Sequence, residues 1–239
     1  MGLKFWLALA FGIVGVVLAL AAAVWQVQRA NDKLALQARW EAALAAPAMV
    51  IDRDRPAPAK LEVPRQVELR GEFIPAATLY LDNRMLGGVA GFRVITPVQR
   101  APGAPWVLVD RGFAPRDATD RSRLPPAPLP AGEVAILGVA VDRAPRALEL
   151  GGAPERRLPG IWQNLDYDAF EAASGAKVER FLVLQSSPAN DGLRRNASPP
   201  AAGVDKHRGY AFQWAAIAAL IAGLTVFFGF RTWKHASKH

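Results

Sequence analysis

The sequence predicts a membrane protein with two transmembrane α-helices flanking one mainly-β (α+β) extracytoplasmic domain, its strands forming an antiparallel sheet or a barrel-like one. Three observations carry this. Residues 5–28 and 210–230 are uncharged and apolar, and at about 1.5 Å of rise per residue each run spans the roughly 30 Å core of a bilayer. Between them lie short runs rich in Val, Leu, Ile and aromatics, broken by Gly, Pro and Asp clusters, the pattern of paired strands. The last residues, RTWKHASKH, are short and basic, which assigns that end to the cytoplasm under the positive-inside rule.

Taken in order, the chain divides into a cytoplasmic N-terminus (1–4), a first span (5–27), an extracytoplasmic domain (28–209), a second span (210–230) and a cytoplasmic basic tail (231–239). The first apolar run is about twice as long as that of a secretory signal, so it reads as an uncleaved anchor. Arg29 to Ala46 is alanine-rich and free of Gly and Pro, which predicts that the first helix continues until Pro47. APAMVIDRDRPAPAKLEVP then reads as a connector without regular structure. Strands are expected in QVELRGEF, TLYLDNRML, GFRVITPVQR, PWVLVDRGF, EVAILGVAVDR and FLVLQ. Trp106 to Val109 is continuously apolar, as in a strand buried on both faces. Asp110-Arg111-Gly112 is expected to end it in a tight turn, and Thr96-Pro97 to mark the end of an edge strand. Prolines 125, 126, 128 and 130 impose an extended loop. DYDAFEAAS predicts a short helix with Asp166 at its N-cap and Gly175 past its end. Both spans carry small residues every fourth position, Gly15, Ala19 and Ala23 in the first and Ala215, Ala219 and Gly223 in the second, rows that let helix backbones approach.

Composition removes several functions. The 239 residues carry a net charge of +8 and no cysteine. A disulfide framework, covalent c-type haem attachment, a thiolate zinc site and a thiolate copper site are therefore excluded. The three methionines, Met1, Met49 and Met85, are scattered, against a Met-rich copper site. No basic helix or aromatic-basic alternation suggests nucleic acid. A basic domain beside a membrane suits acidic headgroups or an anionic ligand, so the lipid bilayer is itself a partner. Catalysis finds little support. No His lies between Met1 and Lys206, there is no Gly-x-Ser-x-Gly, and no Walker-type glycine loop, so the chain is not expected to be an enzyme.

The chemistry-bearing residues gather at the mouth of the second span. If the helix begins one turn early, His207, Tyr210, Ala211 and Trp214 share a face, placing an imidazole at the membrane boundary with two aromatic rings. The alternative is an aromatic belt that anchors the helix. In the soluble domain Arg111 reads either as a contact to a partner or as a brace through carbonyl hydrogen bonds. Gly91 and Gly112 read as positions of positive φ or close backbone approach. Asp166, Asp168 and Glu171 read as a capped surface helix rather than an acid–base pair.

Two motifs carry a family resemblance. Gly91-Phe92-Arg93-Val94-Ile95-Thr96-Pro97 followed by Trp106-Val107-Leu108-Val109-Asp110-Arg111-Gly112-Phe113 resembles the paired strands of the Surfeit-locus-one (Shy-type) family of cytochrome c oxidase assembly factors. His207-Arg208-Gly209-Tyr210-Ala211-Phe212-Gln213-Trp214 resembles that family's motif at the mouth of the second span. The two motifs occur in the family's order, and the two-span architecture is similar. Asp110 departs from the family's usual Asn, Asp205 from a usual Asn, and Arg208 from a common Leu.

The resemblance implies an assembly factor for haem-copper cytochrome c oxidase that binds haem a transiently and presents it to the catalytic subunit. His207 would be the axial ligand to the haem iron, Tyr210 and Trp214 would pack against the macrocycle, and Arg208 or Lys206 would pair with a propionate. Arg111, Gly112, Gly91, Thr96 and Pro97 would serve partner contact or structure. The implied partners are the oxidase catalytic subunit and a haem a synthase. The competing reading is a scaffold that stabilises the oxidase core subunit without binding haem. The alanine-, arginine- and proline-rich composition suggests a bacterial source. The expected location is therefore the bacterial inner membrane, multi-pass, with both termini cytoplasmic and the central domain periplasmic.

Overall fold

A computed structural model describes residues 2–117, 119–120, 123–147, 156–195 and 203–236. These form two compact units, one made of residues 1–38 with 199–239 and one of residues 39–198.

The first unit is a pair of long helices, α1 (Leu3–Ala45), whose last turns from Arg39 on count with the second unit, and α3 (Val204–Ala236). Each is long and apolar enough to cross a membrane, and two such helices among the described residues fall short of the multi-pass arrangement expected. Helix α1 runs past its apolar stretch and stops two residues short of Pro47, as its Gly- and Pro-free composition requires. A Cβ added to Gly12 would collide with Thr225, one added to Gly15 would touch Ile221 at 3.5 Å, and Gln26 meets His207 at the other end. The pair is therefore antiparallel. On α1 the small residues Ala19, Ala23 and Ala30 are buried. On α3 the buried row is Ala211 and Ala218. Ala215, Ala219 and Gly223 are exposed, so the row expected in the second span is displaced. An alanine-rich helix offers several such rows, and the one in register with His207, at spacings of four and seven, faces the partner helix.

The second unit is the mainly-β domain expected, an eight-stranded sheet in which parallel pairs join the antiparallel ones. Its strands are β1 (Met49–Ile51), β2 (Arg65–Phe73), β3 (Leu79–Leu86), β4 (Val89–Gln99), β5 (Trp106–Pro115), β6 (Glu133–Val141), β7 (Gly160–Trp162) and β8 (Val178–Gln185). They lie in the order β1-β2-β6-β8-β5-β4-β3-β7. The pairs β1–β2, β5–β8 and β3–β7 are parallel. The sheet bends back on itself where the end of β2 meets the end of β4 (Glu72 opposite Gln99, Phe73 opposite Val98). Closure rests on those two residue pairs, so the sheet is not a full barrel. Strand β1 lies in the stretch expected to be a connector. It is held by its register on β2, Met49 opposite Val67 and Ile51 opposite Leu69.

Alternation along the strands fills two sides. Val67, Leu69, Val98, Val107, Val109, Ile136, Phe181 and Val183 form the core inside the bend. Leu79, Leu81, Ile95, Leu108, Leu182 and Trp162 form a second core that includes Phe170 of helix α2 (Tyr167–Ser174). Strand β5 thus buries Val107 and Val109 in one core and Leu108 in the other, the two-faced burial its apolar run predicts. The expected turn at 110–112 is absent. Strand β5 continues to Pro115 with a register shift between Val94/Ile95 and their partners, so Gly112 sits at a bulge instead. Thr96 and Pro97 also do not end an edge strand. Strand β4 is central and runs on to Gln99. Pro97 is tolerated because β4 changes neighbour there: β3 leaves after Ile95, and β2 arrives at Val98. A missing N–H at that point breaks no ladder bond.

Helix α2 forms where the sequence places it. The Asp166 carboxylate accepts hydrogen bonds from the amides of Asp168 and Ala169, both at 3.1 Å, and Gly175 closes the helix at φ 70°. The Ala169 amide bond is the largest influence holding Asp166 below its ordinary value of 3.8, ahead of Arg156. Asp166→Ala is expected to cost about 1 kcal/mol. Because the folded-state value is depressed, the cap stabilises above about pH 4 and its contribution is lost as pH falls below 3.8. Thermal melts of wild type and variant should therefore differ at pH 7 and converge in acid.

Candidate functional site

The helix pair and the β unit each bring together a group of polar residues.

In the helix pair the polar centre is His207 and Gln26. Helix α3 starts at Val204, so the histidine lies in its first turn, upstream of the apolar run. Gln26 sits at the end of the apolar stretch of α1 and is only 9% exposed. The His207 Nδ1 lies 2.7 Å from the Gln26 Oε1. An amide oxygen only accepts, so the contact is a hydrogen bond in the tautomer that carries its proton on Nδ1. That tautomer leaves Nε2 with its lone pair. The small side chains at 19, 23, 30, 211 and 218 allow the close approach that brings the two groups together. Neither aromatic is consumed by helix pairing: Tyr210 is 52% and Trp214 39% exposed. Arg208 and Lys206 are exposed on the same first turn. Gln26 was not singled out from sequence. Its signal is a polar side chain at the end of an otherwise apolar run, a place where an interhelical hydrogen bond is favoured.

In the β unit the polar centre is Arg111. Strand β5 carries it inward, and its side chain is 1% exposed. It donates to the carbonyls of Ala127 and Pro128, at 3.0 and 2.5 Å, and to Asp191 Oδ2 at 2.9 Å. Its guanidinium also lies 5.4 Å from the centre of the Phe73 ring. So Arg111 braces through carbonyls, but those of the proline-rich loop rather than of its own strand. Asp191 accepts further from Arg195 Nη2 at 2.7 Å and from the Leu193 amide at 3.2 Å. Burial raises the Asp191 carboxyl, yet the Arg195 and Leu193 hydrogen bonds and the two guanidinium charges outweigh it, so it lies below the ordinary range. Burial lowers Arg111, and the Asp191 charge opposes that. An arginine remains charged under such a shift. Asp191 and Arg195 were not picked out in the sequence. They lie in a polar stretch with no pattern, and their role arises from a partner 80 residues away.

The remaining motif residues support this frame. Gly112 has φ 137°, and a Cβ there would stand 2.8 Å from the Arg194 carbonyl oxygen. The Phe113 amide donates to that same carbonyl at 2.8 Å, and the Arg194 amide returns a bond of equal length to Phe113. Thus β5 is clamped to the segment that carries Asp191 and Arg195. A Cβ on Gly91 would run into the Ala114 carbonyl and the Phe113 ring. Thr96 is buried, and its hydroxyl meets that of Thr78 at 3.2 Å. Asp110, where the family motif usually has Asn, is fully buried and takes both Arg93 Nε and Nη2, at 2.8 and 2.7 Å to one oxygen. Burial pushes its carboxyl up, against the Arg93 guanidinium, which pulls it down.

Other acids are committed elsewhere. A cleft of about 570 Å³ beside α2 is lined by Asp142, Arg143, Arg146, Asp166, Tyr167 and Arg180, among others. Asp166 is the helix cap, Asp168 pairs with Arg180 at 2.8 Å, and Glu171 pairs with Lys177 at 2.9 Å. Among the described residues no group of three or more His, Asp or Glu could hold a metal ion.

No curated protein matches the chain. Its residues 13–219 match the model of the SURF1 family, a stretch that runs from within the first apolar helix to within the second and takes in both polar centres. The chain belongs to the SURF1 family, which is associated with cytochrome oxidase assembly.

Proposed function

We propose that this protein takes up haem a at the His207 end of the helix pair and hands it to the catalytic subunit of a haem-copper oxidase. The observation that carries the proposal is the hydrogen bond from His207 Nδ1 to Gln26, which leaves Nε2 as the nitrogen for an iron. The donor set fits the ligand. His207 would hold the group through its imidazole, the exposed Tyr210 and Trp214 rings would give it flat apolar contact, and Arg208 would offer a cation to a propionate. The action is binding and release rather than catalysis. A haem a synthase is the natural source of the ligand.

The short basic tail supports a bacterial inner-membrane topology with both termini cytoplasmic and the β unit periplasmic. A scaffold reading, in which the protein steadies the oxidase subunit and never touches haem, has one observation of its own: outward residues such as Phe212, Val226 and Phe227 leave the helices broadly apolar toward a partner's spans.

Absorption spectra of haem extracted from full-length protein test the choice. Protein purified from cells that make haem a is expected to carry it, and His207→Ala to lose at least nine-tenths of it. Folded wild-type protein without haem selects the scaffold. Equal haem in both proteins moves the ligand away from His207.

A further inference from the structure

A glutamine side chain at the end of an apolar span, 9% exposed, is costly unless its amide is bonded. Its partner here is a histidine 181 residues away, at 2.7 Å. If the bond served only to join two helices, either ring nitrogen would do. The contact is specific to Nδ1, and a neutral imidazole has a single N–H, so the choice of nitrogen determines which one keeps a lone pair. An unconstrained neutral imidazole favours the Nε2–H form, which cannot ligate a metal through Nε2.

We propose that Gln26 is a positioning residue that fixes His207 in the Nδ1–H tautomer and holds its ring plane, so that Nε2 is presented as a ready ligand. The inference deepens the haem reading and rests on it for the identity of the ligand, but the tautomer itself is a property of the haem-free protein. The acceptor's chemistry matters as well. A carboxylate behind the ring would draw the Nδ1 proton and make Nε2 a stronger donor. A neutral amide orients the ring and adds less basicity, which suits a protein that must release what it binds. The amide is also cheaper than a carboxylate to hold among Ala19, Ala23 and Ala30 in an apolar span.

The test is nitrogen NMR on full-length, haem-free protein with ¹⁵N-labelled histidine rings, at a pH where the imidazole is neutral. The chain has three histidines, and the His207→Ala spectrum identifies the signal of interest. Wild type is expected to show a protonated Nδ1 and a bare Nε2 at His207. Gln26→Leu is expected to turn the ring to the Nε2–H form, and Gln26→Glu, which keeps an acceptor oxygen, to retain Nδ1–H. Nε2–H in wild type overturns the proposal with no variant needed. So does an unchanged Nδ1–H in a Gln26→Leu protein whose helix content matches wild type.

A second arm uses haem a itself. Gln26→Leu is expected to weaken its binding about 10- to 100-fold, as loss of an outer-shell partner does. Wild type that shows Nδ1–H yet takes up no haem would refute the haem reading and leave the tautomer assignment standing. Haem uptake with Nε2–H at His207 would do the reverse.

Discussion

Asp191→Ala is expected to destabilise the β unit by about 3–5 kcal/mol, because it strips the counter-charge from two buried guanidinium groups at once. The Arg111 side chain is 1% exposed and that of Arg195 13%, so water cannot replace the lost carboxylate. The Ala127 and Pro128 carbonyls would still accept from Arg111, but they carry no charge to balance it. For a chain of this size the loss corresponds to a melting temperature lowered by roughly 6–20 °C. Arg195→Ala should cost much less, because it leaves the Arg111–Asp191 pair neutral overall. Thermal unfolding of the full-length protein in detergent, followed by tryptophan fluorescence, checks both. A change under about 1 kcal/mol for Asp191→Ala would show that the proline-rich loop and the segment after β8 are held by something other than this carboxylate.

Phe170→Ala should be comparably severe, about 3–5 kcal/mol, for a different reason. Phe170 is the one buried residue of α2 and is fully enclosed. Its ring lies 6.1 Å from that of Trp162, in the core shared with Leu79, Leu108 and Leu182. Truncation leaves a ring-sized void and removes the anchor of the whole helix. Amide exchange over residues 167–174 should then rise well beyond the rest of the unit. Uniform exchange across the unit would show that α2 is fixed by Glu171 and its partners instead.

The long elements were legible because each is decided by its own residues. Charge-free runs of about twenty residues mark α1 and α3, the apolar run 106–109 marks a strand with two buried faces, and Asp166 and Gly175 bracket α2. What was not legible depends on partners far along the chain. Strands β1 and β7 have three residues each, and their register on β2 and β3 defines them. Gly112 reads as a turn in isolation, yet it lies in a continuous strand because the segment around Arg194 crosses it. Pro97 breaks the rule that proline marks an edge, because two neighbouring strands exchange places beside it. In the helix pair, His207 stood out as a lone imidazole among apolar residues. Gln26 did not, since nothing local says that a glutamine at 26 answers a histidine at 207.

That separation has a consequence for synthesis. The first apolar helix emerges and enters the bilayer with its glutamine amide unanswered, and 181 residues must follow before the imidazole exists. At ribosomal speeds of about 5–20 residues per second, the wait is on the order of 10–35 s. The first span must therefore be apolar enough to stay inserted alone. The polar bridge closes last, and its formation marks a chain translated through its second span.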